Sequence, residues 1–190
     1  LLICSIPPAV FLAAAPKLTL NLWMGPEFAL NGSAAMIPLV IGVFLQGIIA
    51  VQSMILVGAG KIKLMSNATM IGGIVSVALC FMLTKPLGIA GAAAAYAAGA
   101  ATIAIPVFIY GCRLSNVGFR EIARAAFLKP TGAAIINFFF IIAFRHMVGS
   151  LIELIVFACA SATVYATSLF ILKAIDKDDI ATIRNFIPKH

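Results

Sequence analysis

Apolar residues along this chain fall into six long runs that short polar gaps separate. The runs cover residues 2–23, 34–58, 65–84, 88–112, 128–148 and 150–172. Each is close to the length of about 20 apolar residues that an α-helix needs to cross a membrane, and none alternates like a barrel strand. The pattern predicts an all-α, polytopic membrane helix bundle with six transmembrane helices over residues 1–175, followed by a cytoplasmic tail over 176–190.

Basic residues alternate between the gaps. Of the 13 Lys and Arg residues, ten lie in gaps or in the tail on one side of the predicted membrane. The gaps on the opposite side carry Lys85 and Arg145 as their cations. Because cytoplasmic loops of membrane proteins are enriched in Lys and Arg, both ends of the chain are predicted to be cytoplasmic. Trp23 is then expected at the outer interface, which favours amphipathic rings.

The composition agrees with a protein that has lipid as its solvent. Hydrophobic residues make up 63% of the chain and charged residues 10%, against about 45–50% and about 25% in soluble domains. The net charge of +7 lies beside the run ends, so it indicates membrane topology and not nucleic-acid binding. The four cysteines contain no C-x-x-C pair, which disfavours a disulfide framework and a zinc site.

The first residue lies directly inside an apolar run, with no basic segment before it. This start differs from that of a signal peptide. We therefore expect the chain to be the C-terminal fragment of a longer protein.

The first run contains three prolines, Pro7, Pro8 and Pro16. Each proline removes a backbone donor and clashes with the preceding turn, so a kinked or broken helix is predicted. Within a membrane, the freed carbonyls are tolerated where protein or a water-filled cavity satisfies them. Two interpretations stay open: a static kink, and a flexible gate segment of a transporter.

Two patterns predict how the helices pack. Gly91, Ala95 and Gly99 recur every four residues, which predicts a ridge of small residues where another helix approaches closely. The connections at residues 85–87 and at Gly149 are too short for anything but tight turns. The helices that they join are therefore predicted to be antiparallel neighbours.

Two polar stretches outside the runs are predicted to be amphipathic. Residues 116–128 carry Arg120 and Arg124 one helical turn apart, which is typical of an interfacial helix that lies against anionic headgroups. Residues 176–186 begin with three aspartates, which the dipole favours at a helix N-terminus.

Ionisable residues within the runs are candidate functional residues because they are costly in lipid. Lys17 lies six residues before Trp23, a distance of about 9 Å along a helix, and Asn21 lies one turn further on the same face. Two interpretations stay open for Lys17. Its long stem carries the ammonium to the outer interface, or the side chain lines a cavity.

Amides within the later runs are candidates for the same site. Gln46 and Gln52 are six residues apart, which places them on different faces of one helix, and Asn137 lies in the middle of the fifth run. Interhelical hydrogen bonds are the alternative to ligand binding at each of them. The candidate substrate-binding residues are Lys17, Asn21, Gln46 and Asn137.

Charged residues also bracket the turn at Gly149. Arg145, His146 and Glu153 are predicted to form a solvated outer cluster, with His146 as a candidate proton-linked group. The sequence contains none of the H-E-x-x-H, Walker A or nucleophile-elbow motifs of enzymes. We therefore expect no enzyme activity, no cofactor and no bound metal.

Three short stretches taken together resemble a known family. LWMGPEFA (residues 22–29) ends the first run at a Gly-Pro-Glu-aromatic turn, and LGIAGAAAAY (residues 87–96) opens the fourth. VGAGKIKL (residues 57–64) forms a small basic loop before Asn67. Their order and spacing are similar to the C-terminal part of polysaccharide-biosynthesis membrane proteins, the O-antigen-type lipid-linked oligosaccharide flippases of the multidrug/oligosaccharidyl-lipid/polysaccharide exporter superfamily.

The resemblance implies a transporter of about 12–14 helices in two lobes, of which this chain would form the C-terminal half. It implies a bacterial inner-membrane protein that moves an undecaprenyl-pyrophosphate-linked oligosaccharide to the outer leaflet by alternating access. The implied partners are that lipid-linked oligosaccharide, membrane lipid and the N-terminal half. A cationic cavity would suit the pyrophosphate, and Lys17 is the candidate for it.

Two alternatives stay open at this point. A multidrug or small-molecule exporter of the same superfamily usually needs an intramembrane carboxylate, and these runs contain none away from their outer ends. A membrane enzyme of glycan assembly would need catalytic groups in a large outer loop, and the predicted outer loops are short.

Overall fold

A computed structural model of the chain describes residues 2–115 and 129–171. Those residues contain seven α-helices, one short 3₁₀ helix and no β-strand. The α-helices are α1 Leu2–Ala14, α2 Pro16–Trp23, α3 Pro26–Gly58, α4 Ile62–Leu87, α5 Ile89–Leu114, α6 Lys129–Phe144 and α7 Leu151–Ile171, and the 3₁₀ helix is Arg145–Met147. The segment 116–128 and the tail 176–190, both predicted to be amphipathic, lie outside the described residues.

Five helical segments of the described chain are long and apolar enough to cross a membrane. They are Pro26–Gly58, Ile62–Leu87, Ile89–Leu114, Pro130–Met147 and Leu151–Leu169. Their long apolar side chains point mostly outward, because only a minority of each segment is buried inside the bundle. Such a surface is stable in lipid and unstable in water, so the described chain is a membrane-embedded helix bundle.

The first predicted span is two short helices and not one continuous helix. α1 continues through Pro7 and Pro8, and the break comes at Ala15, immediately before Pro16. Pro16 has no N–H to donate to the carbonyl of Leu12, but at the first position of a new helix it needs none. The carbonyl of Ala15 accepts the hydroxyl of Thr19 at 2.9 Å, which satisfies one polar group at the break.

The polar gap at residues 24–33 is mostly helix, which corrects the predicted start of the second span. Gly25 turns the chain at a φ of +99°, a value that favours glycine, and Pro26 then begins α3. Glu27 lies in the first turn, where the helix dipole stabilises a negative charge. The polar residues of this gap indicate where the chain leaves the apolar environment, but α3 continues beyond that point as far as Pro26.

The hairpin between α4 and α5 is tighter than the three residues predicted for it. α4 runs from Ile62 through Pro86 to Leu87, and Gly88 at φ +57° is the one residue between the two helices. The antiparallel pairing predicted for these helices is confirmed, since Gly91 lies against the backbone of Leu83.

α5 packs between α3 and α4 through small residues on different faces. Gly91 and Gly99 face α4, where a Cβ on Gly99 would lie 2.8 Å from the carbonyl oxygen of Gly72. Gly42 of α3 likewise leaves room for the ring of Tyr96 on α5. The predicted ridge of small residues is therefore a close helix contact, as in other membrane bundles.

α1 packs against α6 and α7 through an aromatic cluster close to the helix break. Phe11, Ala14 and Ala15 form one buried group with Ile141, Leu154 and Phe157. The rings of Phe11 and Phe157 have their centroids 5.8 Å apart, and Phe157 also stacks on Phe140 at 5.8 Å. This cluster holds the end of α1 beside the end of α6.

Candidate functional site

A cleft of about 990 Å³ opens at the break between α1 and α2. Its walls come from the break itself, from the N-terminal turns of α3 and from the 3₁₀ helix that follows α6. The lining residues are Ala15, Pro16, Lys17, Leu18, Asn21, Ala29, Leu30, Ser33, Ala34, Ile37, Arg145 and His146. A volume near 1,000 Å³ is at the upper end of the range for small-molecule sites.

Two cationic side chains and an imidazole share this cleft. Lys17 comes from the first turn of α2, and Arg145 and His146 come from the 3₁₀ helix, 128 residues later in the chain. They line one cleft because the aromatic cluster packs Ala15, the residue at the helix break, in one group with Ile141 of α6. All three residues are exposed and line the cleft.

No carboxylate lines the cleft within the described chain. The nearest in sequence to Arg145 is Glu153, and its Oε2 instead accepts the N–H of Gly149 at 2.7 Å and of Ser150 at 3.2 Å. The N–H of Glu153 in turn donates to the hydroxyl of Ser150 at 3.3 Å. This reciprocal pair is a capping box at the start of α7, which occupies the carboxylate and leaves the cleft positive.

The cleft also has neutral polar groups at its wall. Asn21 lies one turn after Lys17 on α2 and is exposed, as the sequence places it on the same face. Ser33 of α3 also lines the cleft and is buried. The wall therefore combines positive charge with an amide and a hydroxyl, which are suitable donors for an oxygen-rich anion.

Gln46 does not lie at the cleft. Its Nε2 donates to the hydroxyl of Tyr96 at 3.0 Å, so it joins α3 to α5 by an interhelical hydrogen bond. Gln52, six residues later, packs its side chain over Gly111 on α5. Both amides therefore contact α5.

Asn137 also lies away from the cleft. It is 0% exposed, and its Oδ1 accepts the hydroxyl of Ser161 on α7 at 2.9 Å. Of the four candidates from the sequence, the structure brings together Lys17 and Asn21, and it places Gln46 and Asn137 between helices elsewhere.

Arg145 and His146 belong to the site although the sequence pattern assigned them to a solvated cluster with Glu153. They are exposed, but the carboxylate of Glu153 caps α7, and Arg145 and His146 instead line the cleft that Lys17 also lines. The signal for this division is present in the sequence as Ser150-x-x-Glu153, a capping-box spacing that separates the carboxylate from the cations.

The arrangement is suited to hold an anion. Clustered cations in a cleft at a membrane surface raise the local concentration of negatively charged ligands, and Arg and Lys donate charge-assisted hydrogen bonds to phosphate oxygens. No protein-family model matches the sequence, no curated protein matches it, and no solved structure matches it. The functional argument therefore depends on the chemistry of this cleft.

Proposed function

We propose that the chain is part of a transporter that moves a lipid-linked oligosaccharide across the bacterial inner membrane by alternating access. The transported molecule is an undecaprenyl-pyrophosphate-linked glycan destined for surface polysaccharide. The observation that carries this proposal is the cleft at the α1–α2 break. Lys17 and Arg145 both line it, and its described lining contains no carboxylate. A pyrophosphate is the anionic group of such a substrate, and these cations match it.

The broken first span supports the same function. Two short helices that meet at Ala15 place backbone polar groups beside the cleft. In membranes, a discontinuous helix is tolerated where it lines a cavity, and transporters build binding sites in that way. In this proposal α1 and α2 together make the first of six crossings, and both ends of the chain lie in the cytoplasm.

The first test is genetic. Deletion of the gene in a bacterium that displays surface polysaccharide is expected to abolish the surface glycan while the lipid-linked oligosaccharide accumulates inside. Complementation with the full-length gene is expected to restore the glycan. Unchanged surface glycan after deletion would contradict the proposal.

The second test asks whether the cleft carries the activity. Lys17→Ala in the full-length protein is expected to lower surface glycan strongly, because it removes a cation from the pyrophosphate site. Lys85→Ala is the matched control, since Lys85 is an exposed cation on the same side of the bundle but outside the cleft. Equal glycan levels in the two variants would refute the role of the cleft.

A further inference from the structure

A second, apolar groove lies directly below the cationic cleft. Its volume is about 380 Å³, more than twice the roughly 150 Å³ of an engineered cavity that accepts benzene. It lies between α1, α3 and the start of α6, and its lining is almost entirely hydrocarbon. The lining residues are Ile6, Ala9, Val10, Ala13, Val40, Ile41, Phe44, Leu45, Ile48, Thr131 and Ala134.

The groove continues into the cleft along the same pair of helices. On α1 and the break, groove residues end at Ala13 and cleft residues begin at Ala15. On α3, which runs the other way, cleft residues end at Ile37 and groove residues begin at Val40. Groove and cleft therefore follow each other within a single helical turn on both α1 and α3, and the positive charge next to the groove comes from Lys17 on α2 and from Arg145.

The length of this combined site matches one leaflet of a bilayer. Thr131 in the groove and Arg145 in the cleft are fourteen residues apart along α6 and the 3₁₀ helix, which corresponds to about 21 Å. Half of a bilayer, with its headgroup layer, measures about 20–23 Å. A full-length polyprenyl chain of 55 carbons is far longer than this, whereas one phospholipid acyl chain and its headgroup fill it.

The length of α3 indicates the depth of the cleft if the hydrocarbon layer begins at the Gly58 end of that helix. About 20 residues of α3 counted back from Gly58 span the hydrocarbon layer and reach the region of Pro38. The cleft residues of α3, Ala29 to Ile37, lie beyond that point, and the groove residues Val40 to Ile48 lie within it. Charge and depth thus agree on the orientation of a bound lipid.

We infer that this combined site binds one anionic phospholipid, with its phosphate between Lys17 and Arg145 and one acyl chain along the groove. The lipid belongs to the leaflet on the side of the Gly25 and Gly149 turns, which the charge pattern predicts to be the outer one. Basic pockets between transmembrane helices recognise anionic lipid headgroups in this way. The inference does not require transport, but it uses the same two cations as the proposed pyrophosphate site, so a bound phospholipid and the transported molecule would compete for the cleft.

The test measures lipid binding to the purified full-length protein by native mass spectrometry in detergent. The two probes are dioleoylphosphatidylglycerol and dioleoylphosphatidylcholine, which share their chains and differ in net charge. Phosphatidylglycerol is expected to bind more tightly than phosphatidylcholine. Lys17→Gln and Arg145→Gln are each expected to lower the affinity for phosphatidylglycerol about fivefold, the equivalent of about 1 kcal/mol per cation. Lys85→Gln is the charge control and is expected to leave the affinity unchanged.

The groove is tested with a bulky substitution at an exposed position. Ile41 is 51% exposed and Ile74 on α4 is 62% exposed, so a tryptophan at either site needs no repacking of the core. Ile41→Trp fills part of the groove and is expected to weaken binding of both lipids, whereas Ile74→Trp leaves it unchanged. Equal affinity for the two lipids, or equal effects of a variant and its control, would overturn the inference.

Discussion

At the scale of single residues, polar side chains inside this bundle have two distinct roles. Asn137 and Ser161 join α6 to α7 in a fully buried position, and Gln46 and Tyr96 join α3 to α5. Lys17 and Arg145 are exposed and face a cleft. A hydrogen bond to a neighbouring helix therefore separates Gln46 and Asn137 from Lys17 and Arg145, which line the cleft.

The Asn137–Ser161 hydrogen bond is expected to stabilise the α6–α7 pair. Ser161→Ala removes the donor to Oδ1 and leaves a buried amide without it, which is expected to cost about 1 kcal/mol. The measurement is the melting temperature of the purified protein in detergent. Thr163→Ala is the control on the same helix, because Thr163 is exposed and is expected to change stability little.

At the scale of helices, the apolar runs predict most elements to within a few residues. The predicted runs 88–112 and 150–172 correspond to Ile89–Leu114 and Leu151–Ile171. The largest difference is at α3, which begins at Pro26 because Gly25 and Pro26 set a helix start in polar sequence. A hydropathy pattern reports where lipid begins and ends, so it misses helix that extends beyond the apolar layer.

The close packing of α4 on α5 depends on glycine at defined positions. A Cβ on Gly91 would overlap the carbonyl of Leu83, a backbone group that cannot turn away. Gly91→Ala is therefore expected to destabilise the protein by about 1–3 kcal/mol. Thermal unfolding in detergent measures the effect.

Gly73 on α4 provides the matched control for this substitution. Nothing lies within 4 Å of the position that its Cβ would occupy, so Gly73→Ala adds helix propensity without a clash. It is expected to be neutral or slightly stabilising. If both alanine variants unfold at the same temperature, close packing at Gly91 is not what holds this hairpin.

At the scale of the whole molecule, the cleft is a product of tertiary packing. The sequence identifies Lys17 and Asn21, because an ionisable residue within an apolar run is unusual. It does not place Arg145 in the same cleft, because that placement depends on the packing of Phe11 and Ala15 against Ile141 and Phe157. Local patterns contain no information on which distant turn that cluster brings to the break.

The topology gives a separate prediction about the two sides of the membrane. In a full-length protein whose native cysteines are replaced, Ser150→Cys and Lys85→Cys are expected to react with an impermeant thiol reagent in intact spheroplasts. Lys61→Cys lies in the turn at the other end of α3 and is expected to react only after the spheroplasts are permeabilised. Labelling of all three in intact spheroplasts would contradict the positive-inside orientation.

The most direct measurement is flipping of a fluorescent undecaprenyl-pyrophosphate-linked oligosaccharide in proteoliposomes that contain the full-length protein. Lys17→Gln combined with Arg145→Gln is expected to slow flipping at least about tenfold, the equivalent of losing about 1.4 kcal/mol of interaction with the pyrophosphate. Lys85→Gln is expected to flip at the unmodified rate. Flipping by the double variant at the rate of the unmodified protein would contradict the account.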